Sequence, residues 1–281
     1  KKYLTKMPKR FEKHPESSKS YKHINVFKVP YIYEEVPSSK GKLWVVGNDT
    51  SLFDYFLPEK WRHMEQTKLS LHHEIYYVES KDNINLVLKI SKVGQKPDVD
   101  LFNNYEMEIL RHGFNSPFEE FAIAFELSRN HIPTIYPRAI YMSGIKSKLD
   151  ERYIDYSRYN NHSNILNSEN GEALLQKDRE YVMIWGYWNG TDEMLADHDG
   201  NYYTNINALC ALREGLISQE AYLDLMSMVK EKLISIGIID LNLKGTHILL
   251  SFNKNKELIT DEKGKPVSRI CNFELLKSKY L

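Results

Sequence analysis

Cysteine is scarce in this chain: 281 residues contain two, Cys210 and Cys271, and neither stands in a CxxC or Cys/His spacing. Nothing in that pattern suggests a zinc site or a redox pair, and a reducing compartment fits best. An excess of one charge is also missing. Lys plus Arg number 38 and Asp plus Glu number 38, so no global field favours nucleic acid or an anionic membrane. The one local exception is the start, where Lys1, Lys2, Lys6, Lys9, Arg10, Lys13, Lys19 and Lys22 outnumber Glu12 and Glu16. It reads as a solvated arm, and nothing else favours nucleic acid. No run approaches the roughly 20 apolar residues a membrane span needs. No apolar signal region precedes the sequons at Asn48, Asn161 and Asn189, so a cytoplasmic protein is expected. The first residue is Lys1 rather than Met, which suggests a processed chain or a piece of a longer one. Glycine is absent between Gly47 and Gly94.

What is present supports a folded α+β chain. Hydrophobic residues make up 42%, enough for one bilobal domain or two modest ones. Residues 1–60 read as an N-terminal extension with short strands in "NVFKVPYIYEEV" and "KLWVVG". From Leu71, "LHHEIYYV" and "NINLVLKIS" flank a polar turn, predicting a hairpin with Leu86, Leu88 and Ile90 on one face and Val87 and Lys89 on the other. His72 and His73 adjoin on that strand and point to opposite faces, which argues against a joint metal site. "LFNNYEMEILRHG" predicts a short helix closed by Gly113. The next helix has the strongest signals. Ser116 can cap it, Pro117 suits its first position, and Glu119 and Glu120 favour its positive end.

"PTIYPRAIYMSG" then reads as a strand whose two prolines suit a sheet edge. Residues 145–178 are polar and weakly periodic, an expected insertion. "EYVMIWGYWNG" returns as a strand entering a Gly-punctuated turn. Asp197-x-Asp199-Gly200 matches the start of a calcium loop, but Ala208 stands where the closing Glu is required, so no calcium site is expected. "SQEAYLDLMSMVKEKLISIG" spaces Tyr222, Leu225, Met226, Val229, Leu233 and Ile236 as one helical face ended by Gly237.

This order resembles the protein-kinase-like superfamily, especially its aminoglycoside-phosphotransferase-like and lipopolysaccharide-kinase-like branch, over roughly residues 70–276. The resemblance implies a bilobal fold: a β-rich upper lobe over 61–186, carrying the 145–178 insertion, and a helical lower lobe over 187–281. It implies that Lys89 of "LVLKI" contacts nucleotide phosphates and is held by Glu120, with Glu119 as the alternative. It places the inter-lobe hinge at "MIWGY", so that the backbone from Met183 through Trp185 would meet an adenine edge. The strand "ILL" aligns "DLNLKGTHILL" with the catalytic loop, putting Asn242 at the base position and His247 at a metal-binding position. Asn272-Phe273-Glu274 then stands where the metal-binding Asp-Phe-Gly belongs. Only Leu275 to Leu281 follow, whereas the family continues into further helices, which implies a fragment or a lower lobe truncated at the C-terminus.

Three departures bear on chemistry. The glycine-free stretch removes the residues that let backbone approach phosphate closely. Asn242 cannot accept a substrate proton, and losing a positioned base costs about 10²–10⁴ in rate. Asn272 removes the anionic oxygen that would hold Mg2+, a hard cation. The expectation is therefore a pseudokinase that binds a nucleotide such as ATP, or a protein partner through 1–60 or 145–178, with little or no phosphoryl transfer. The rival is an active ATP- and Mg2+-dependent phosphotransferase using Asp240 and Glu274, each two residues from the position it would replace and on the same face. A third reading is a structural subunit that acts through those two segments alone.

Overall fold

A computed structural model describes residues 21–71, 73–146, 157–162, 165, 171, 173–176, 178–188, 204–253, 255–262, 264–279 and 281. The basic arm, apart from Lys22, lies outside them, as do His72, the Asp197/Asp199 motif and most of the 145–178 segment.

The first half is built on one antiparallel sheet. Its strands are β1 (Lys22–Val26), β2 (Val29–Val36), β3 (Gly41–Val46), β4 (Gln66–Lys68), β5 (Ile75–Glu79), β6 (Asn85–Ile90), β7 (Tyr136–Lys146) and β8 (Arg179–Gly186). They lie in the order β1-β2-β3-β7-β8-β6-β5-β4. The period-two pattern divides this sheet cleanly into two faces. Ile32, Leu43, Val45, Leu86, Leu88, Ala139 and Ile184 face a core closed by the 3-10 segment Thr50–Phe56 and by Trp61 of α1 (Pro58–Trp61). Tyr31, Trp44, Ile140, Met183 and Trp185 face the other side, against Phe118, Phe121 and Ala122 of helix α3 (Pro117–Arg129), which follows the short helix α2 (Asn104–His112).

Residues 21–46 are therefore three strands of the common sheet, with β3 paired to β7 from Lys42↔Met142 to Val45↔Ala139. They share its core and do not sit on it as a separate addition. The expected edge position of residues 133–144 is also corrected, because β7 is held between β3 and β8. Pro137 is tolerated there for a local reason. It lies at a register shift against β8, and β3 pairs β7 only from Ala139 onward, so the missing N–H faces no strand on that side.

The second half contributes β9 (Thr204–Asn207), α4 (Ala208–Arg213), α5 (Gln219–Ser235), β10 (Ile238–Asp240), β11 (Ile248–Phe252), β12 (Ser268–Ile270) and β13 (Leu276–Ser278). β12-β11-β9 form one small sheet and β10-β13 another. Leu225, Val229 and Leu233 of α5, Ile248, Leu250 and Phe252 of β11, and Phe273 all join the core beneath α3. One apolar core thus continues from the large sheet into the second half. Among the described residues, no helix is long and apolar enough to cross a membrane.

Candidate functional site

The seam between the halves carries the chemistry. Helix α3 starts at a capping box: Ser116 Oγ accepts from the Glu119 backbone N–H while Glu119 Oε2 accepts from that of Ser116. Arg158 donates to Glu119 Oε1 at 2.8 Å. Glu119 is fully occupied as an anchor. One residue on, Glu120 points to the sheet, and Lys89 Nζ on β6 donates to its Oε2 at 2.8 Å.

Lys89 has two further oxygen neighbours, Asn272 Oδ1 at 3.2 Å and Glu274 Oε1 at 3.1 Å. An ammonium has three N–H donors, and here three oxygens surround it. Glu274 Oε2 is in turn 3.1 Å from Lys92 Nζ, which lies 3.0 Å from His73 Nδ1. Lys89, Glu120 and Glu274 have side chains no more than 5% exposed.

The electrostatics follow from this packing. Burial alone would depress the Lys89 ammonium, but Glu120 and Glu274 outweigh it and raise its pKa. At Glu120 burial wins over Lys89 and lifts the carboxyl. At Glu274 the burial effect is overcome by Lys89, Lys92 and His73, and the pKa falls. Glu274 is the more firmly ionised of the two carboxylates. His73 is held down by burial and by Lys92, consistent with a neutral ring accepting from that ammonium.

The segment bearing Asn272 and Glu274 is fixed from two directions. Phe273 is fully buried and stacks on Trp185 of β8, with ring centroids 5.1 Å apart. Asn115 Nδ2 donates to the carbonyls of Phe273 and Leu276 at 2.8 Å each, and the Asn115 N–H donates to that of Glu274 at 2.8 Å. With the phenyl ring driven into the core, its two polar neighbours remain at the seam.

Across the seam, Asp240 closes β10. Its Oδ1 accepts from the Asn242 backbone N–H at 2.8 Å, while Oδ2 is buried without a hydrogen-bond partner, 3.5 Å from His247 Nδ1. The other ring nitrogen, Nε2, lies 3.1 Å from Asn272 Nδ2. A 3-10 turn, Gly245–His247, aims that imidazole, and a Cβ on Gly245 would come within 2.7 Å of the Tyr222 ring. His73, Lys92, Asp240, Asn242, His247, Asn272 and Glu274 together line a recess of about 460 Å³. Lys89 and Glu120 lie directly behind it. A second recess of about 560 Å³, between α2 and β13, is rimmed by Arg111 and Lys277, and Lys277 is paired with Glu108 at 3.4 Å.

Two expected nucleotide contacts are not available where they were placed. Met183 and Trp185 lie mid-strand in β8, paired to β6 through Lys89↔Met183 and Val87↔Trp185 and to β7 through Ile140↔Met183 and Pro137↔Trp185. Both side chains are buried in the core. Backbone sealed by strands on both sides cannot meet an adenine edge, and β8 runs on through Gly186. The donors also do not fit a resident Mg2+ ion. Asn272 Oδ1 is committed to Lys89 and to the Glu274 N–H, and both Glu274 oxygens face lysines. No cluster of three or more metal-ligating side chains exists among the described residues. In this arrangement both oxygens of Glu274 are partners of lysines.

Sequence reasoning missed Lys92 and His73. Lys92 follows Lys89 by three residues beyond the strand end, and no periodicity marks it. His73 belongs to the connection before β5, not to the strand as expected. Cys271 borders the seam, but burial pushes its thiol up to about 12, so it offers no thiolate nucleophile. Compared with known proteins, the chain matches no family model, no curated protein and no solved structure.

Proposed function

We propose that this chain is a kinase-like domain of two lobes that binds a nucleotide in the recess between them, with little or no phosphoryl transfer. In this reading the large sheet and α3 form the upper lobe, and β9–β13 with α4 and α5 form the lower. Its support is the meeting of the Lys89–Glu120 pair with Asn272, His247, Asp240 and Asn242 at one seam.

The observation that carries the non-catalytic half is the environment of Lys89. Its ammonium is surrounded by Glu120, Asn272 and Glu274 within 3.2 Å, so all three donors are committed before any phosphoryl group arrives, and one must be released before it can follow developing charge. Asn242 and Asn272 add two neutral carboxamides where transfer chemistry calls for a base and a metal-binding anion. The test is thermal unfolding of the native chain against a nucleotide panel. Ligand at 100 times its dissociation constant adds about 2.7 kcal/mol of stability. An unmoved transition with every nucleotide overturns the nucleotide reading and leaves only a protein partner.

One observation favours a second reading, in which the domain is an active phosphotransferase. Asp240 offers an unpartnered carboxylate oxygen next to His247 at the recess, an arrangement suited to accepting a hydroxyl proton. Under that reading a phosphate-transfer assay shows activity that Asp240→Ala abolishes.

A further inference from the structure

The recess contains a carboxylate in a place whose surroundings suit an oxyanion. Glu274 extends one oxygen to Lys89 and the other to Lys92, both at 3.1 Å, with His73 Nδ1 4.0 Å from Oε1. Two ammonium groups thus converge on one anionic group supplied by the chain, and the His73 ring accepts from the outer of them, Lys92. Glu120 also lies against Lys89 at 2.8 Å, so Lys89 keeps a carboxylate neighbour when Glu274 moves away. Lys92 stands at the recess wall with its side chain 24% exposed, and its ammonium also lies over the Phe114 ring at 4.8 Å. A ligand entering from solvent meets Lys92 first and Lys89 behind it.

We propose that Lys89 and Lys92 form a binding site for a phosphate-bearing anion, and that Glu274 occupies this site as an internal competitor that a ligand must displace. The inference rests on the nucleotide-cleft reading for its location, but it concerns the anion alone. The ligand class is a polyphosphate group, carried by a nucleotide or free. The carboxylate and the phosphoryl oxygens compete for the same donors, since both are anions matched to ammonium groups. Close approach of like charges is costly, so the native chain binds polyphosphate weakly and loss of the Glu274 charge strengthens binding.

The test is calorimetric titration of inorganic pyrophosphate and of ADP into the native full chain, Glu274→Gln and Glu274→Asp. Glu274→Gln keeps the shape and removes the charge; Glu274→Asp keeps the charge on a shorter stem and draws it back from the lysines. The expected result is pyrophosphate binding tightened by about 10-fold or more in Glu274→Gln, by a smaller factor in Glu274→Asp, and reversed by adding Lys92→Ala. If Glu274→Gln fails to fold, Glu274→Asp decides, and affinity equal to native overturns the proposal. Stronger pyrophosphate binding with no preference for ADP supports this site while removing the nucleotide reading. ADP binding equally to all three proteins sustains the nucleotide reading and overturns this site.

Discussion

The two sides of the recess hold similar residue types in opposite states. On the side of the large sheet, Lys89, Glu120, Glu274 and Lys92 form a closed set in which each buried charge faces an opposite one within 3.1 Å. On the other side, Asp240 Oδ2 and His247 Nδ1 are both buried without hydrogen-bond partners and stand 3.5 Å apart. Such a set resists the loss of its central cation, because without Lys89 two buried carboxylates, Glu120 and Glu274, face each other. An open pair has unused hydrogen-bonding capacity. The first side therefore ties the two halves together, and the second keeps a buried carboxylate oxygen beside an imidazole nitrogen, neither with a hydrogen-bond partner.

The sharpest way to break this contrast is Lys89→Met. It leaves Glu120 and Glu274 facing each other without the cation between them, and chemical denaturation is expected to show a loss of about 3–5 kcal/mol. A loss below about 1 kcal/mol would mean that the charge cluster does not hold the seam. Asn115→Ala acts one step further out, freeing the carbonyls of Phe273 and Leu276 from their shared donor. Its expected cost in the same experiment is on the order of 2–4 kcal/mol, from two buried acceptors that lose their shared donor, the Phe273 carbonyl keeping only the long contact from the Leu276 N–H. Asp240→Asn probes the open side and should move stability by less than about 1 kcal/mol, since its Oδ1 contact to Asn242 survives. A large loss there would show that the Asp240–His247 pair is structural after all.

The smallest expected effect separates the two carboxylates within the closed set by pH. Glu274 has its folded pKa depressed by its lysines, so it stabilises the fold above the ordinary carboxylate range and that contribution is lost as pH falls below it. Glu120 has its folded pKa raised by burial, so the folded state holds the proton longer, and its contribution declines as pH rises from that range through about 7. Stability measured against pH should therefore flatten on the acid side in Glu274→Gln and toward neutrality in Glu120→Gln. The same window in both variants would contradict the assignment.

Local signals were legible wherever a side chain acts on its own backbone. Ser116, Pro117 and Glu119 mark the start of α3 because capping involves residues within one turn. Gly113 marks the end of α2 because φ is +68° there. The alternation of Leu86, Leu88 and Lys89 showed the two faces of β6, and with them the direction of the lysine. Non-local pairing was not legible. Nothing within residues 41–46 states that they pair with residues 139–142, so the first strands read as an addition. For the same reason the two prolines near β7 suggested an edge, since the register shift that accommodates Pro137 depends on β8. In the site, the family resemblance paired Lys89 with Glu120, and the two side chains do meet. Lys92 and His73 were not found, because their meeting with Glu274 depends on how Asn115 and Phe273 fix a distant segment.

Isothermal titration of ATP into the native chain tests the central claim most directly, because one record contains both binding and turnover. The account predicts a saturable binding heat followed by a baseline that stays flat for hours. A sustained heat of reaction after saturation, abolished by Asp240→Ala, would contradict it.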